Sequence, residues 1–385
     1  MRVIGALTWM KAIVFLLYAV HASLAPFLSL ALRDLGWSIS QTGILVSSSK
    51  LFSLVSTPLI ATYANQSQTL IPVVLLAGIS GLISILLGVC GGNVAFSLFF
   101  LMFSTFTICS SPKQTIVDNL VVKSCGSTNY GGVRLWGSIS WGVTGFMMGG
   151  GMYLFENEIG KFIFIFHGLA LLIFATIISR TSIENVQEEE DEATPNTISE
   201  SLLPPVSLLP VLILLFTFGV LEFSVDMVYF PYLRQKGAPP ILLSTLVAMV
   251  AVVEVVGFSF STWLHSRMSP STVISLAGLA FAAKAIGYFL AGTSWFALVA
   301  QALHGLYFPL MWTGSIHFIE NYLECHKLSQ TNMMVWMWVA NTGLPPVVSG
   351  ILSAELEQNV GALALLKISS SVSIFVTLFY FLVSR

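Results

Sequence analysis

The sequence predicts an all-α integral membrane protein whose twelve transmembrane helices form two pseudo-symmetric six-helix bundles. Of its 385 residues, 56% are hydrophobic and 9% are charged, whereas a soluble protein carries roughly 25% charged residues. Mean hydropathy is +0.87, and apolar windows long enough to cross a bilayer occur along the whole chain. A single acidic, polar segment near the middle separates six windows from six.

The first six windows of about 20 residues are bounded by Pro, Gly, Asn or charge clusters. The first has no small-residue cleavage pattern behind it, so we interpret it as a membrane helix and not as a removable signal peptide. Glycines in the fifth, at Gly142, Gly145 and 149–151, suit close helix contacts. These spans lie near 9–30, 39–61, 70–89, 95–118, 131–154 and 162–179.

Residues 181–205 are predicted to form an acidic linker between an N-terminal bundle, 1–180, and a C-terminal bundle, 206–385. The run from Glu188 to Glu192 lies among Ser, Thr, Asn and Pro, a composition typical of a solvated segment. Placing the N-terminus inside leaves seven Lys and Arg residues in inner segments and four in outer ones. This bias predicts that both termini and the linker are cytosolic, in a membrane that the sequence does not identify.

The second set of windows completes the count of twelve. A Gly and Pro group at Gly343, Pro345, Pro346 and Gly350 suits helix bending in the eleventh. The spans lie near 206–231, 241–262, 271–290, 295–318, 331–353 and 361–383.

Eight charged residues lie inside predicted spans. An ionised group at mid-bilayer costs roughly 2.5–3.5 kcal/mol even on the most lenient scale, so these groups are expected to line an interior cavity and not to face lipid. Acids and bases are equal in number, so the set is neutral overall. The residues are Asp118, Glu222, Asp226 and Glu254, with Lys50, Lys113, Arg134 and Lys284.

The second half carries a candidate proton-coupling network. Glu222 and Asp226 are four residues apart and therefore share one face of the seventh span. Glu254 is surrounded by valines, Lys284 is its expected counter-charge, and His304 follows in the tenth span. The alternative is a static salt network that holds helices together, although such networks cost more than apolar packing.

The fifth span carries a candidate substrate contact. Arg134 and Trp141 are seven residues apart, two turns along nearly the same face. A guanidinium fork and a flat indole are the usual pair for holding a sugar ring by its hydroxyls and its C–H face. Ordinary core packing is the alternative for this pair.

The pattern Tyr-Gly-x-x-Arg-x-Trp-Gly-Ser-x-x-Trp over 130–141 resembles the fifth-helix motif of the major facilitator superfamily, in its lactose permease and phenylpropionate permease-like (MFS_1-like) branch. The pattern Gln301-x-x-His304-Gly305 in the tenth span is also similar to these permeases. The resemblance covers essentially the whole chain and implies that Arg134 and Trp141 contact substrate. It further implies a proton-coupling network of Glu222, Asp226, Glu254, Lys284 and His304.

The sequence departs from this family pattern in three places. The loop after the second span, 62–68, lacks the usual Asp and basic residues. Asp118, the expected partner of Arg134 and a third substrate-binding candidate, has a different spacing from the lactose-permease carboxylate. No acid follows His304 by about one turn, so the family's proton site cannot be copied whole.

These features predict a secondary active transporter that moves a sugar-like, nucleoside or aromatic-acid solute by alternating access, with proton symport. The alternatives are an uncoupled facilitator and a non-transporting receptor or scaffold on the same fold. Phosphate-loop, zinc and nucleophile-elbow motifs are missing from the sequence, so we expect neither an enzyme nor a cofactor. The expected partners are the solute, protons and the bilayer, without nucleic acid, and the protein is expected to be a monomer.

Overall fold

The computed structural model describes residues 2–67, 70–180, 208–291, 295–326 and 336–383, and in these ranges the ordered secondary structure is helical. The longer helices are α1 Arg2–Leu24, α2 Leu28–Asp34, α3 Ile39–Ser67, α4 Ile71–Cys90, α5 Phe96–Ser110, α6 Lys113–Leu154, α7 Ile159–Ser179, α8 Leu209–Gln235, α9 Pro240–His265, α10 Pro270–Ala291, α11 Ala297–His326, α12 Pro345–Val360 and α13 Ala362–Val383. A 3₁₀ turn, Ala25–Phe27, links α1 to α2, and a π-helical turn, Val339–Gly343, precedes α12.

Eight segments within the described ranges are long and apolar enough to cross a membrane. They confirm the prediction of an all-α, multi-pass membrane protein. The predicted fourth span is interrupted because α5 ends at Ser110 and Pro112, which has no backbone N–H, precedes α6. The eight are Leu7–Asp34, Ile39–Ala64, Ile71–Asn93, Glu156–Ser179, Leu209–Gln235, Pro240–Phe260, Pro270–Leu290 and Ala362–Leu382.

The long element α6 contains a reversal of the chain. Its helical residues run from Lys113 to Leu154, yet Tyr18 of α1 contacts both Gln114 and Arg134. Twenty residues of straight helix would separate these two positions by about 30 Å, more than the side chains can bridge. The chain therefore turns back between them, so the end of the predicted fourth span and the predicted fifth span lie on two arms of α6.

The predicted linker, 181–205, lies outside the described residues, so the proposed domain boundaries remain predictions. We call α1–α7 the N-terminal half and α8–α13 the C-terminal half. Glycines bring the two halves together: a Cβ on Gly145 would lie 2.5 Å from Val247, and one on Gly149 would overlap Ser244. Gly350 of α12 packs equally closely on Ser47 of α3. The predicted close helix contacts are confirmed at Gly145, Gly149 and Gly350, whereas a Cβ on Gly150 would meet nothing within 4 Å.

Ion pairs close the molecule on one side. We define the far side by the turns at 35–38, 155–158 and 236–239, and the linker side as the opposite one, where α7 ends and α8 begins. On the far side, Arg33 forms a two-pronged ion pair with Glu357 of the other half, with Nη1 to Oε1 at 2.7 Å, and both side chains are at least 90% buried. Arg234 pairs with Glu156 at 2.8 Å in a more exposed position. The far side is therefore sealed between the halves.

Candidate functional site

Four polar side chains of the C-terminal half form a continuous chain. The ammonium of Lys284, whose side chain is fully buried, lies 3.3 Å from Asp226 Oδ1 and 2.6 Å from His304 Nδ1. Nε2 of His304 in turn lies 3.7 Å from Glu222 Oε1. Since the ammonium donates to Nδ1, a neutral His304 carries its proton on Nε2, which faces Glu222. The order Asp226, Lys284, His304, Glu222 thus links two carboxylates through a cation and an imidazole.

Helix geometry explains how the sequence assembles this chain. Glu222 and Asp226 lie one turn apart on α8, as predicted, and Lys284 and His304 reach them from α10 and α11. Aromatic rings surround the cation, since Phe281 and Tyr288 lie 5.4 and 5.5 Å from Lys284 Nζ. This apolar wall limits water access and strengthens the interactions inside it.

Tyr307 extends the chain beyond Glu222. It follows His304 by three residues on α11, and its buried side chain interacts with Glu222. Its hydroxyl has no partner in good hydrogen-bond geometry among the described residues. A buried hydroxyl without such a partner is costly, so a small rearrangement that brings it onto Glu222 would be favourable.

Glu254 has a different counter-charge from the one that the sequence suggested. Lys284 forms its ion pair with Asp226 of α8, whereas the positive charge that acts on Glu254 is Arg134, in the other half. The charge of Glu254 also acts on Glu222. Glu254 therefore interacts electrostatically both with Glu222 of the C-terminal chain and with Arg134 of the N-terminal half.

Arg134 rests on an aromatic ring of α1. Its guanidinium carbon lies 3.9 Å from the centre of the Tyr18 ring, and the Tyr18 hydroxyl accepts a hydrogen bond from Gln114 Nε2 at 2.8 Å. Gly137 makes room for this stack, because a Cβ there would lie 2.7 Å from both Arg134 Nη1 and Tyr18 Cδ2. Cation–π stacking of this kind fixes the orientation of the guanidinium.

The other two predicted substrate contacts take different places. Trp141 is half-buried and packs against the hydrophobic core, so the flat ring beneath Arg134 belongs to Tyr18 and not to Trp141. Asp118 is half-buried in the first arm of α6, and its pairing with Arg134 remains a prediction. The first two residues of the motif, Tyr130 and Gly131, fall outside the described side chains.

Several residues of the site had no distinguishing signal in the sequence. Tyr18, Gln114 and Tyr307 are common residue types in apolar helices, and only the fold brings them to Arg134 and Glu222. Glu357 fell beyond the predicted end of the eleventh span, although α12 continues to Val360. Its pairing with Arg33 could be suspected only from a pair of opposite charges at helix ends. In the described part of the chain, no group of three or more His, Cys, Asp or Glu side chains could hold a metal ion.

Comparison with known proteins gives the context of this site. The chain is 24% identical over 312 residues to an uncharacterized transporter, YwbF, of Bacillus subtilis (strain 168), covering 79% of this chain and 75% of that one. The nucleoside transporter NupG superposes with a TM-score of 0.76 at 13% identity, over 97% of this chain and 98% of its own. The E. coli xylose transporter XylE gives a TM-score of 0.68 at 12% identity, over 98% and 97% of the two chains.

At these identities the solved structures show the fold alone, and that fold is the predicted one. Both are membrane transporters, not enzymes. The sequence model of the family described as MFS_1 like matches residues 7–354, most of the chain. The protein is therefore a multi-pass membrane protein that belongs to the MFS_1-like family of transporters.

Proposed function

We propose that this protein is a proton-coupled symporter that moves a small polar or amphipathic solute by alternating access. The observation that carries the proposal is the chain Asp226, Lys284, His304, Glu222, whose central cation Lys284 is fully buried. Ionisable groups inside a membrane protein are costly and mark ion or substrate pathways. Carboxylates joined through an imidazole can take up a proton at one end and lose it at the other.

The chain suggests how a proton would change the contacts. A proton on Glu222 removes the negative charge that faces His304 Nε2, while Asp226 keeps its hold on Lys284. Glu254 interacts with Arg134 across the two halves, so neutralising Glu254 would also weaken an inter-half attraction. Proton binding and the relative stability of the two conformations would therefore be linked.

The far-side seal supports alternating access. The pairs Arg33–Glu357 and Arg234–Glu156 close the molecule on the far side, and the glycine contacts between α6 and α9 reach mid-depth. Combined with the predicted cytosolic termini, this closure corresponds to an inward-facing state. Protease added to sealed right-side-out cells should leave 181–205 intact, and cleavage there would reverse this orientation.

The proposed solute is sugar-like, a nucleoside or an aromatic acid. A nucleoside transporter and a xylose transporter share the fold, and Arg134 with Gln114 offers hydrogen-bond donors beside an aromatic ring. We propose a monomer as the working unit, because the site lies between the two halves of one chain.

The test uses purified protein in proteoliposomes with an imposed pH gradient and radiolabelled solutes of the three classes. We expect accumulation that a protonophore abolishes, with acidification or alkalinisation that matches solute flux. Equilibration without accumulation would favour the uncoupled facilitator. Binding without any flux would favour the receptor or scaffold.

A further inference from the structure

The N-terminal half contains two cations for which the described residues supply no acidic partner. Lys113 is 4% exposed, and its ammonium donates to the carbonyl oxygen and to Oγ of Ser110, both at 2.6 Å. The ammonium of Lys50 lies 5.9 Å from the centre of the Phe223 ring, across the boundary between the halves. Neither takes part in an ion pair within the described ranges. A serine and a phenylalanine ring stabilise a cation, but they do not neutralise it.

These cations lie within electrostatic range of one another and of His21. The charge of Lys50 acts on Lys113, and both act on His21, together with Arg134 and His167. The His21 ring meets the edge of Tyr18, with the ring centres 5.8 Å apart, and Tyr18 in turn contacts Gln114 and Arg134. We call the group His21, Lys50, Lys113 and Arg134 the basic pocket; its cations are Lys50, Lys113 and Arg134.

Three of the four acids inside the predicted spans interact with other basic groups. Asp226 pairs with Lys284, and Glu222 faces His304, while Glu254 interacts with Arg134. Asp118 follows Lys113 by five residues, which places it about 140° around a regular helix from Lys113. Two like charges close together at low dielectric repel each other, and an anion between them would offset that repulsion.

We infer that Lys50 and Lys113 bind an anionic group, a carboxylate or a phosphate, of the transported solute. The inference rests on the proposed transport function and narrows it to organic anions. Flexible ammonium groups suit a point-like anionic contact. The anion would supply the negative charge that the pocket lacks, and the Tyr18 and Arg134 pair would hold the rest of the solute.

The test compares matched neutral and anionic probes on the purified full chain. The pairs are benzamide with benzoate, glucose with glucuronate, and uridine with uridine 5′-monophosphate. Binding is measured by thermal shift and by isothermal titration. We expect at least one anionic member to bind more tightly than its neutral partner, and to bind less tightly as salt increases. The identity of that member separates a carboxylate from a phosphate.

Variants then assign the contact. Lys50→Gln and Lys113→Gln should each weaken binding of the anionic probe about ten- to a hundredfold, as expected for a charge-assisted hydrogen bond. Lys50→Arg, which keeps the charge, should retain most of the affinity. Lys367→Gln removes an exposed cation of α13 that lies over Phe289, outside the pocket, and should leave binding unchanged. If Lys113→Gln does not fold, the two Lys50 variants still decide.

The inference is overturned if no anionic probe binds, if the neutral member of every pair binds as well, or if the Lys50 and Lys113 variants bind normally. These outcomes are independent of the transport proposal. Proton-driven accumulation of a neutral solute would support the proposed transport function and contradict the inference that the solute is an anion. Tight anion binding without flux would support the proposed anion site and contradict the proposed transport function.

Discussion

The two halves of the molecule treat their buried charges in different ways. In the C-terminal half, Lys284 lies between Asp226 and His304, and every member of that chain has a charged or ionisable neighbour. In the N-terminal half, Lys50 and Arg134 lie against aromatic rings, and Lys113 is held by Ser110. Among the eight charged residues inside the predicted spans, acids predominate in the C-terminal half and bases in the N-terminal half. An electrostatic interaction between Glu254 and Arg134 links the two groups.

The difference separates two tasks. A closed chain of acids and bases can exchange a proton internally, because every state of the proton keeps partners nearby. Cations that have no acidic side chain as a partner are suited to binding an anionic ligand, which supplies the missing negative charge. Substitutions in both halves test this division.

Lys284→Gln should have the largest effect, because it removes the central cation of the chain and leaves Asp226 without its ion pair. Breaking a buried pair in this way costs about 3–5 kcal/mol, and we expect the low end because Asp226 is 50% exposed. Thermal unfolding in detergent measures the loss. Adding Asp226→Asn should recover part of it, since both partners are then neutral. A double variant no more stable than Lys284→Gln would contradict a direct pairing.

Gly137→Ala should have the next largest effect on stability. The new Cβ would lie 2.7 Å from Arg134 Nη1 and from Tyr18 Cδ2, and overpacking of this kind costs about 1–3 kcal/mol. We expect lower stability and weaker solute binding. Gly132→Ala is the matched control in the same motif, because nothing lies within 4 Å of its Cβ position. If the two variants have equal stability and equal affinity for solute, the stack of Arg134 on Tyr18 contributes neither to stability nor to binding.

The far-side seal predicts a smaller effect, on conformation. Arg33→Gln removes a buried ion pair to Glu357 and should raise far-side labelling of a cysteine placed at buried Ser353, one turn before Glu357. In a background without native cysteines, we expect about a tenfold faster reaction, which corresponds to about 1.4 kcal/mol. Arg234→Gln breaks the more exposed pair with Glu156 and should change the rate much less. The reverse order would place the main seal elsewhere.

Arg134→Lys should have the smallest effect of the set on binding. The charge that acts on Glu254 is retained, but the planar stack on Tyr18 is lost, a contribution of about 0.5–2 kcal/mol. Titration with the best-binding solute measures it. Trp141→Ala should lower the melting temperature and leave that affinity nearly unchanged, because Trp141 packs against the core. A selective loss of affinity in Trp141→Ala would restore the indole as the substrate platform.

The sequence predicted the fold well because hydropathy and helix length are local properties. Composition and span length gave the all-α membrane architecture, and the four-residue spacing placed Glu222 and Asp226 on one face. The partners of the charges depend on how helices meet, which no local pattern determines. Lys284 was therefore assigned to Glu254, although it lies against Asp226 and His304. For the same reason Tyr18 was missed and Trp141 was preferred as the platform beside Arg134.

Comparing proton-driven accumulation with solute exchange in three carboxylate variants tests whether these carboxyl groups carry the coupled proton. Glu222→Gln, Asp226→Asn and Glu254→Gln each fix one carboxyl group in a neutral form. In proteoliposomes with an imposed pH gradient, we expect Glu222→Gln to abolish accumulation of the labelled solute. Exchange of labelled solute between two loaded compartments should persist, because exchange needs no deprotonation. Protonophore-sensitive accumulation retained in all three variants would contradict the proposal that these carboxylates carry the coupled proton.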